Sequence, residues 1–127
     1  MTGGTVFVVD DDASVSRSVA RLVQALGYES RTFDSAEAFL AAYEGGRGCL
    51  LIVDVRMPGM SGLDLLEELE RRRGSLPAIL MSGHVEAGAS LRSGVRTLGI
   101  LEKPFSTGTL RTLLACWQSE REPITGG

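Results

Sequence analysis

Histidine and cysteine are scarce in this sequence. His84 is the one histidine, which excludes a histidine-rich metal centre. The two cysteines, Cys49 and Cys116, stand far apart with no C-x-x-C spacing. That usage points to reduced thiols in a cytosolic protein, and away from a disulfide scaffold or a zinc site. No apolar run approaches the roughly 18–20 residues of a membrane span. The start, Met1-Thr2-Gly3-Gly4, has neither basic residues nor the apolar stretch of a signal peptide. A basic excess is missing too: the net charge is −3, which argues against direct nucleic-acid binding by this segment. What remains is a chain of 127 residues, 43% hydrophobic and 23% charged, the composition of one globular domain.

Strand and helix patterns alternate along it. Residues 5–10 (TVFVVD), 50–54 (LLIVD) and 78–81 (AILM) are short apolar runs of the kind buried on both faces of a sheet. Residues 30–33 (SRTF) form a weaker strand, and 97–102 a fifth. Between them, Val15, Val19, Leu22, Val23 and Leu26 recur at helical spacing, with Gly27 where a helix should stop. Asp34-Ser35-Ala36-Glu37 reads as a capping box opening a helix through about Tyr43. A helix over 62–72 is capped by Ser61 with Asp64 three residues on. The stretch 85–94, with Gly88 and Gly94, reads as a short or mobile element. Leu110, Leu113, Leu114 and Trp117 give the last helix, 107–118, its apolar stripe, and 119–127 reads as a tail or linker. Such alternation implies a three-layer α/β fold with a mostly parallel sheet, whose chemistry gathers at the carboxyl ends of the strands.

Those ends carry Asp10-Asp11-Asp12, then Asp54, then Ser82-Gly83-His84, then Glu102-Lys103-Pro104. Each piece alone has an ordinary explanation. The acidic run fits a helix N-cap, Asp54 before Pro58-Gly59 fits turn chemistry, and Ser82 and Lys103 fit a solvated loop. Taken together on successive strand ends, they describe a phosphoryl site. Crowded carboxylates repel one another unless a hard cation compensates, and magnesium suits an oxygen-only set. A lysine and a hydroxyl beside an aspartate supply the remaining neutralisation that phosphoryl transfer needs. Asp54, with no competing carboxylate at its own strand end, is the natural nucleophile.

With these residues in view, the sequence resembles the receiver domain of bacterial two-component response regulators. VVDDD at 8–12, IVDVRMPGMSGLDLL at 52–66, ILMSGH at 79–84 and LEKPF at 101–105 carry the resemblance, which covers residues 5–118. It implies a flavodoxin-like (βα)5 fold, with the parallel strands in the order 2-1-3-4-5. The receiver would occupy 1–118. It implies Asp54 as phosphoacceptor and Mg2+ as cofactor. Asp11 would bind the ion directly and Asp10 through water, with Asp54 and the Arg56 backbone carbonyl completing the protein ligands. Ser82 and Lys103 would hold phosphoryl oxygens, and Pro104 would follow a cis bond. Asp12 receives no ligand role. The partner would be a sensor histidine kinase or phosphotransfer protein in the cytoplasm, with no membrane contact. The domain would catalyse only its own phosphotransfer and dephosphorylation, as a signalling switch rather than a turnover enzyme.

The pattern is similar to receivers that precede a helix-turn-helix DNA-binding output domain, which a longer chain would carry for transcription regulation. Phosphorylation-linked homodimerisation through the last strand and helix is left open. Two departures stand out: Ile100 occupies the position where the family usually has an aromatic switch residue, and 85–94 lacks a good apolar stripe. Arg56 and His84 flank the site and are expected to tune water access. Three alternatives fit the residues less well. An aspartyl phosphohydrolase would want a carboxylate where Arg56 stands. A flavin binder would want a less acidic first loop. A vestigial interaction module would not need the complete acidic set, Ser82 and Lys103.

Overall fold

The computed structural model describes residues 4–45, 48–72, 76–83 and 97–121. Five strands form one sheet: β1 (Thr5–Val9), β2 (Glu29–Phe33), β3 (Cys49–Asp54), β4 (Ala78–Ser82) and β5 (Gly99–Glu102). All neighbours pair in parallel, in the order β2-β1-β3-β4-β5. Among the described residues the helices are α1 (Ala13–Ala25), α2 (Ala36–Ala42), α3 (Gly62–Arg71) and α4 (Thr107–Arg121). The expected 85–94 element and His84 lie outside the described residues.

The sheet divides the core into two layers. Val6, Val8, Leu50, Ile52, Ile79, Met81 and Leu101 face α1 and α4, where Val19, Val23, Leu110, Leu114 and Trp117 meet them. Phe7, Val9, Leu51, Val53, Ala78 and Leu80 face α2 and α3, with Phe39, Leu63, Leu65 and Leu69. Because strand side chains alternate, the central strands are apolar on both sides, which is why they read as continuous runs. β2 is an edge strand with no fully buried residue, so its signal is weak.

Helix ends follow local chemistry. Asp12 caps α1, accepting from the N–H groups of Ser14 and Val15 at 2.9 and 3.3 Å. α1 stops at Gly27, which adopts φ +99°. The Gly27 and Tyr28 N–H groups bond back to Gln24 and Val23, a Schellman closure only a left-handed residue permits. Ser61 and Asp64 form the expected capping box on α3. The box expected at Asp34–Glu37 does not form. Ser35 is the N-cap, accepting from Ala38 N–H at 3.0 Å, and Glu37 reaches elsewhere. α4 also runs three residues past the expected end at Gln118, so that boundary falls inside the helix.

Candidate phosphoryl site

Parallel pairing brings the ends of β1, β3, β4 and β5 to one rim of the sheet. Asp10, one residue past β1, is 1% exposed, and Asp54, closing β3, is 8% exposed. Lys103, one residue past β5, places its Nζ 3.0 Å from Oδ2 of each carboxylate. The lysine therefore bridges two acidic groups that would otherwise face each other across the β1/β3 pair. Asp11 is exposed beside them. Carboxylate oxygens of Asp10, Asp11 and Asp54 lie within 4.8 Å of one another. That donor set of hard, anionic oxygens fits a magnesium ion.

The backbone fixes each acid. Asp10 Oδ1 accepts from Asp12 N–H at 2.8 Å, and the Asp10 carbonyl accepts from the buried Ser16 hydroxyl at 3.2 Å. Asp54 Oδ1 accepts from Arg56 N–H at 3.1 Å. Val55 N–H donates to the Met81 carbonyl at 2.9 Å, tying the loop after β3 to β4. Gly62 opens α3 so close beneath Asp54 that a methyl there would overlap the Asp54 carbonyl oxygen and sit 3.0 Å from its carbon. Ser82, the last residue of β4, is buried, and its carbonyl accepts from Lys103 N–H at 2.6 Å. The Lys103–Pro104 bond is cis, as the resemblance implies.

Electrostatics follow from burial. Desolvation pushes the Asp10 carboxyl above its ordinary range, against the pull of Asp12 N–H and Lys103 and with the help of the Asp54 charge. Burial is also the largest influence on Lys103 and pulls it down. The contacts to Asp54 and Asp10 together outweigh it and hold the ammonium above its usual value. A cavity of about 450 Å3, lined by Ser16, Arg17, Thr32, Phe33 and Asp34 among others, reaches Asp10 and Asp11 from the β2 side.

Residues 6–115 match the family described as "Response regulator receiver domain". The chain belongs to that family. Phosphorylation-dependent switching within two-component systems is the family's general function, and its members bind Mg2+ at an acidic pocket and take phosphoryl groups from kinases. Among curated relatives, the transcriptional regulatory protein FixJ of Bradyrhizobium diazoefficiens is 33% identical over 96% of this receiver and 60% of FixJ. The DNA-binding transcriptional regulator NtrC of Salmonella typhimurium is 31% identical, over 97% of this receiver but 27% of NtrC. The receiver thus spans only part of the length of these relatives. The crystal structure of FixJ-N superposes with a TM-score of 0.84 at 29% identity, covering 98% of this receiver and all of that chain. The Vibrio cholerae chemotaxis protein CheY4 superposes at 0.79 with 27% identity, over 89% of this receiver and 97% of CheY4.

The structure gathers Asp10, Asp11, Asp54, Ser82 and Lys103 at the rim, and puts Arg56 two residues beyond Asp54 with its side chain exposed. Asp12 turns out to be the cap of α1, so the acidic run serves both of the roles open to it: Asp10 and Asp11 face the site, Asp12 the helix. Ile100 is partly buried against the α2/α3 layer. Sequence reasoning missed the contact of Glu37 with the loop after Asp54, for which the only signal was a motif with another meaning.

Proposed function

We propose that Asp54 is the phosphoacceptor of this receiver. The observation that carries the reading is the Lys103 ammonium held 3.0 Å from both Asp54 and Asp10 at a rim where Asp54 Oδ1 is already fixed by Arg56 N–H. A carboxylate so oriented presents its remaining lone pairs to an incoming phosphorus. Attack by Asp54 on a kinase phosphohistidine whose ring is protonated at its other nitrogen forms a carboxylate O–P bond as the donor P–N bond breaks, and the imidazole leaves neutral with that proton. Lys103 then exchanges its carboxylate contact for a phosphoryl oxygen, and the Ser82 hydroxyl donates to a second. Asp10, Asp11, Asp54 and the Arg56 carbonyl are the residues that would hold Mg2+. When bound, the ion supplies neutralisation of charge on the transferred group. The domain catalyses its own phosphotransfer and dephosphorylation and acts as a cytoplasmic switch. In a longer chain it governs a transcriptional output, as the names of FixJ and NtrC support, and a DNA-binding one, as the name of NtrC supports. The receiver segment takes in the whole of α4 and so runs past the expected boundary at 118 to Arg121.

The test is incubation with a small acyl phosphate and MgCl2, followed by intact mass. A single base-labile phosphate adduct is expected on the native chain and none on Asp54→Ala. An adduct that persists in Asp54→Ala would overturn the assignment, as would no adduct on a folded native chain.

A further inference from the structure

We infer that Glu37 is a positioning residue for the loop that follows Asp54. This rests on Asp54 and the Arg56 carbonyl working as proposed above. The loop, residues 55–61, is closed at its base by Gly62 N–H donating to the Val55 carbonyl at 3.0 Å. Its tip is held from another element. Glu37 Oε2, on the first turn of α2, accepts from Met60 N–H at 3.2 Å. The neighbouring Gly59 has φ +77°, and a Cβ there would sit 3.0 Å from the same oxygen. The tip therefore approaches Glu37 in a conformation that favours glycine.

The anchor is firm on its own side. Ala36 and Phe39 of α2 are fully buried in the α2/α3 layer, so the helix cannot follow a loop that drifts. Ser35 already caps α2, which frees the Glu37 carboxylate for the loop. Between the closed base and the tethered tip lies Arg56. Its N–H fixes Asp54 Oδ1, and its carbonyl is the proposed ligand. With the base alone, the intervening residues would sample more conformations, and each must be given up again when a cation binds. Glu37 thus sets the pre-organisation of a ligand it never touches.

Calorimetric Mg2+ titration of the unphosphorylated protein tests this, with thermal denaturation alongside. Glu37→Ala removes the acceptor, and its Mg2+ dissociation constant is expected to rise about two- to tenfold, the net scale of one ordinary hydrogen bond lost at an exposed site. Glu37→Gln keeps an acceptor oxygen but loses the charge, and is expected to return to within about twofold of the native value. Equal weakening in both variants would assign the effect to charge alone and overturn the proposal. Unchanged affinity in both would overturn it too. The phosphate adduct on the native chain is measured in the same preparation. If that adduct is missing, the Asp54 reading has failed; if it is present while Glu37→Ala binds normally, only the Glu37 inference has failed.

Discussion

Replacing Lys103 by methionine keeps most of the aliphatic stem and deletes the ammonium. Two contacts of 3.0 Å disappear, one to Asp10 and one to Asp54. At an effective dielectric of about 20, each is worth about 5 kcal/mol of Coulomb attraction. The carboxylate oxygens left behind lie within 4.8 Å of one another, a repulsion of at least about 3 kcal/mol on the same scale. Most of this is offset, because the lysine regains its desolvation cost and water and ions screen what remains. Removing one partner of a fully buried pair costs about 3–5 kcal/mol. The Lys103 side chain is 24% exposed, so the expected loss at pH 7 is about 2–3 kcal/mol.

Urea denaturation between pH 4 and pH 8 reads this loss. The Asp10 pKa is already raised above 3.8 by burial, and losing the lysine raises it further. The folded variant then binds a proton where the unfolded chain does not, so its deficit shrinks as pH falls toward 4. The native chain behaves differently at the other extreme. The raised Lys103 pKa gives a contribution that is complete below about 10.5 and is lost as pH rises through the higher folded value. Magnesium chloride at about a hundred times its dissociation constant should return about 2.7 kcal/mol to the variant. A loss below about 0.5 kcal/mol at pH 7, or one equal at pH 4 and pH 8, would refute the claim that the lysine offsets buried carboxylate charge.

Two further substitutions probe the scaffold around the site. Gly62→Ala drives a methyl into the Asp54 carbonyl and is expected to cost about 1–3 kcal/mol by urea denaturation, despite the better helix propensity of alanine. Asp12→Ala removes the α1 cap and is expected to cost about 1 kcal/mol while leaving Mg2+ affinity by calorimetry within about twofold. A larger loss of affinity would place Asp12 among the ligands after all.

The core of the fold was legible because β1, β3 and β4 are buried on both faces and so read as unbroken apolar runs. β2 was faint for the opposite reason: Glu29, Arg31 and Thr32 are exposed, and only Ser30 and Phe33 are partly buried. The strand order rested on the resemblance, since no periodicity encodes which strands lie side by side. The acidic rim was legible as a set of strand ends, because a parallel sheet brings such ends together whatever the order. Its division of labour was not. Asp10, Asp11 and Asp12 are chemically alike, and only the turn into α1 decides which points at the site and which at the helix. Glu37 misled in the same way. Asp34-Ser35-Ala36-Glu37 allows a cap at Asp34 or at Ser35, and the choice of Ser35 frees Glu37 for a backbone N–H 23 residues away.

The two apolar layers meet their helices on opposite sides of the sheet and share strands but no side-chain cluster. Each layer is therefore a separate packing problem. A methylene gained or lost beneath Trp117 is not felt around Phe39, so the sequence can drift in one half without a matching change in the other. The rim is where that independence ends. Asp10, Asp54 and Lys103 sit where the strands leave both layers at once, and a shift in either half reaches the same three charges.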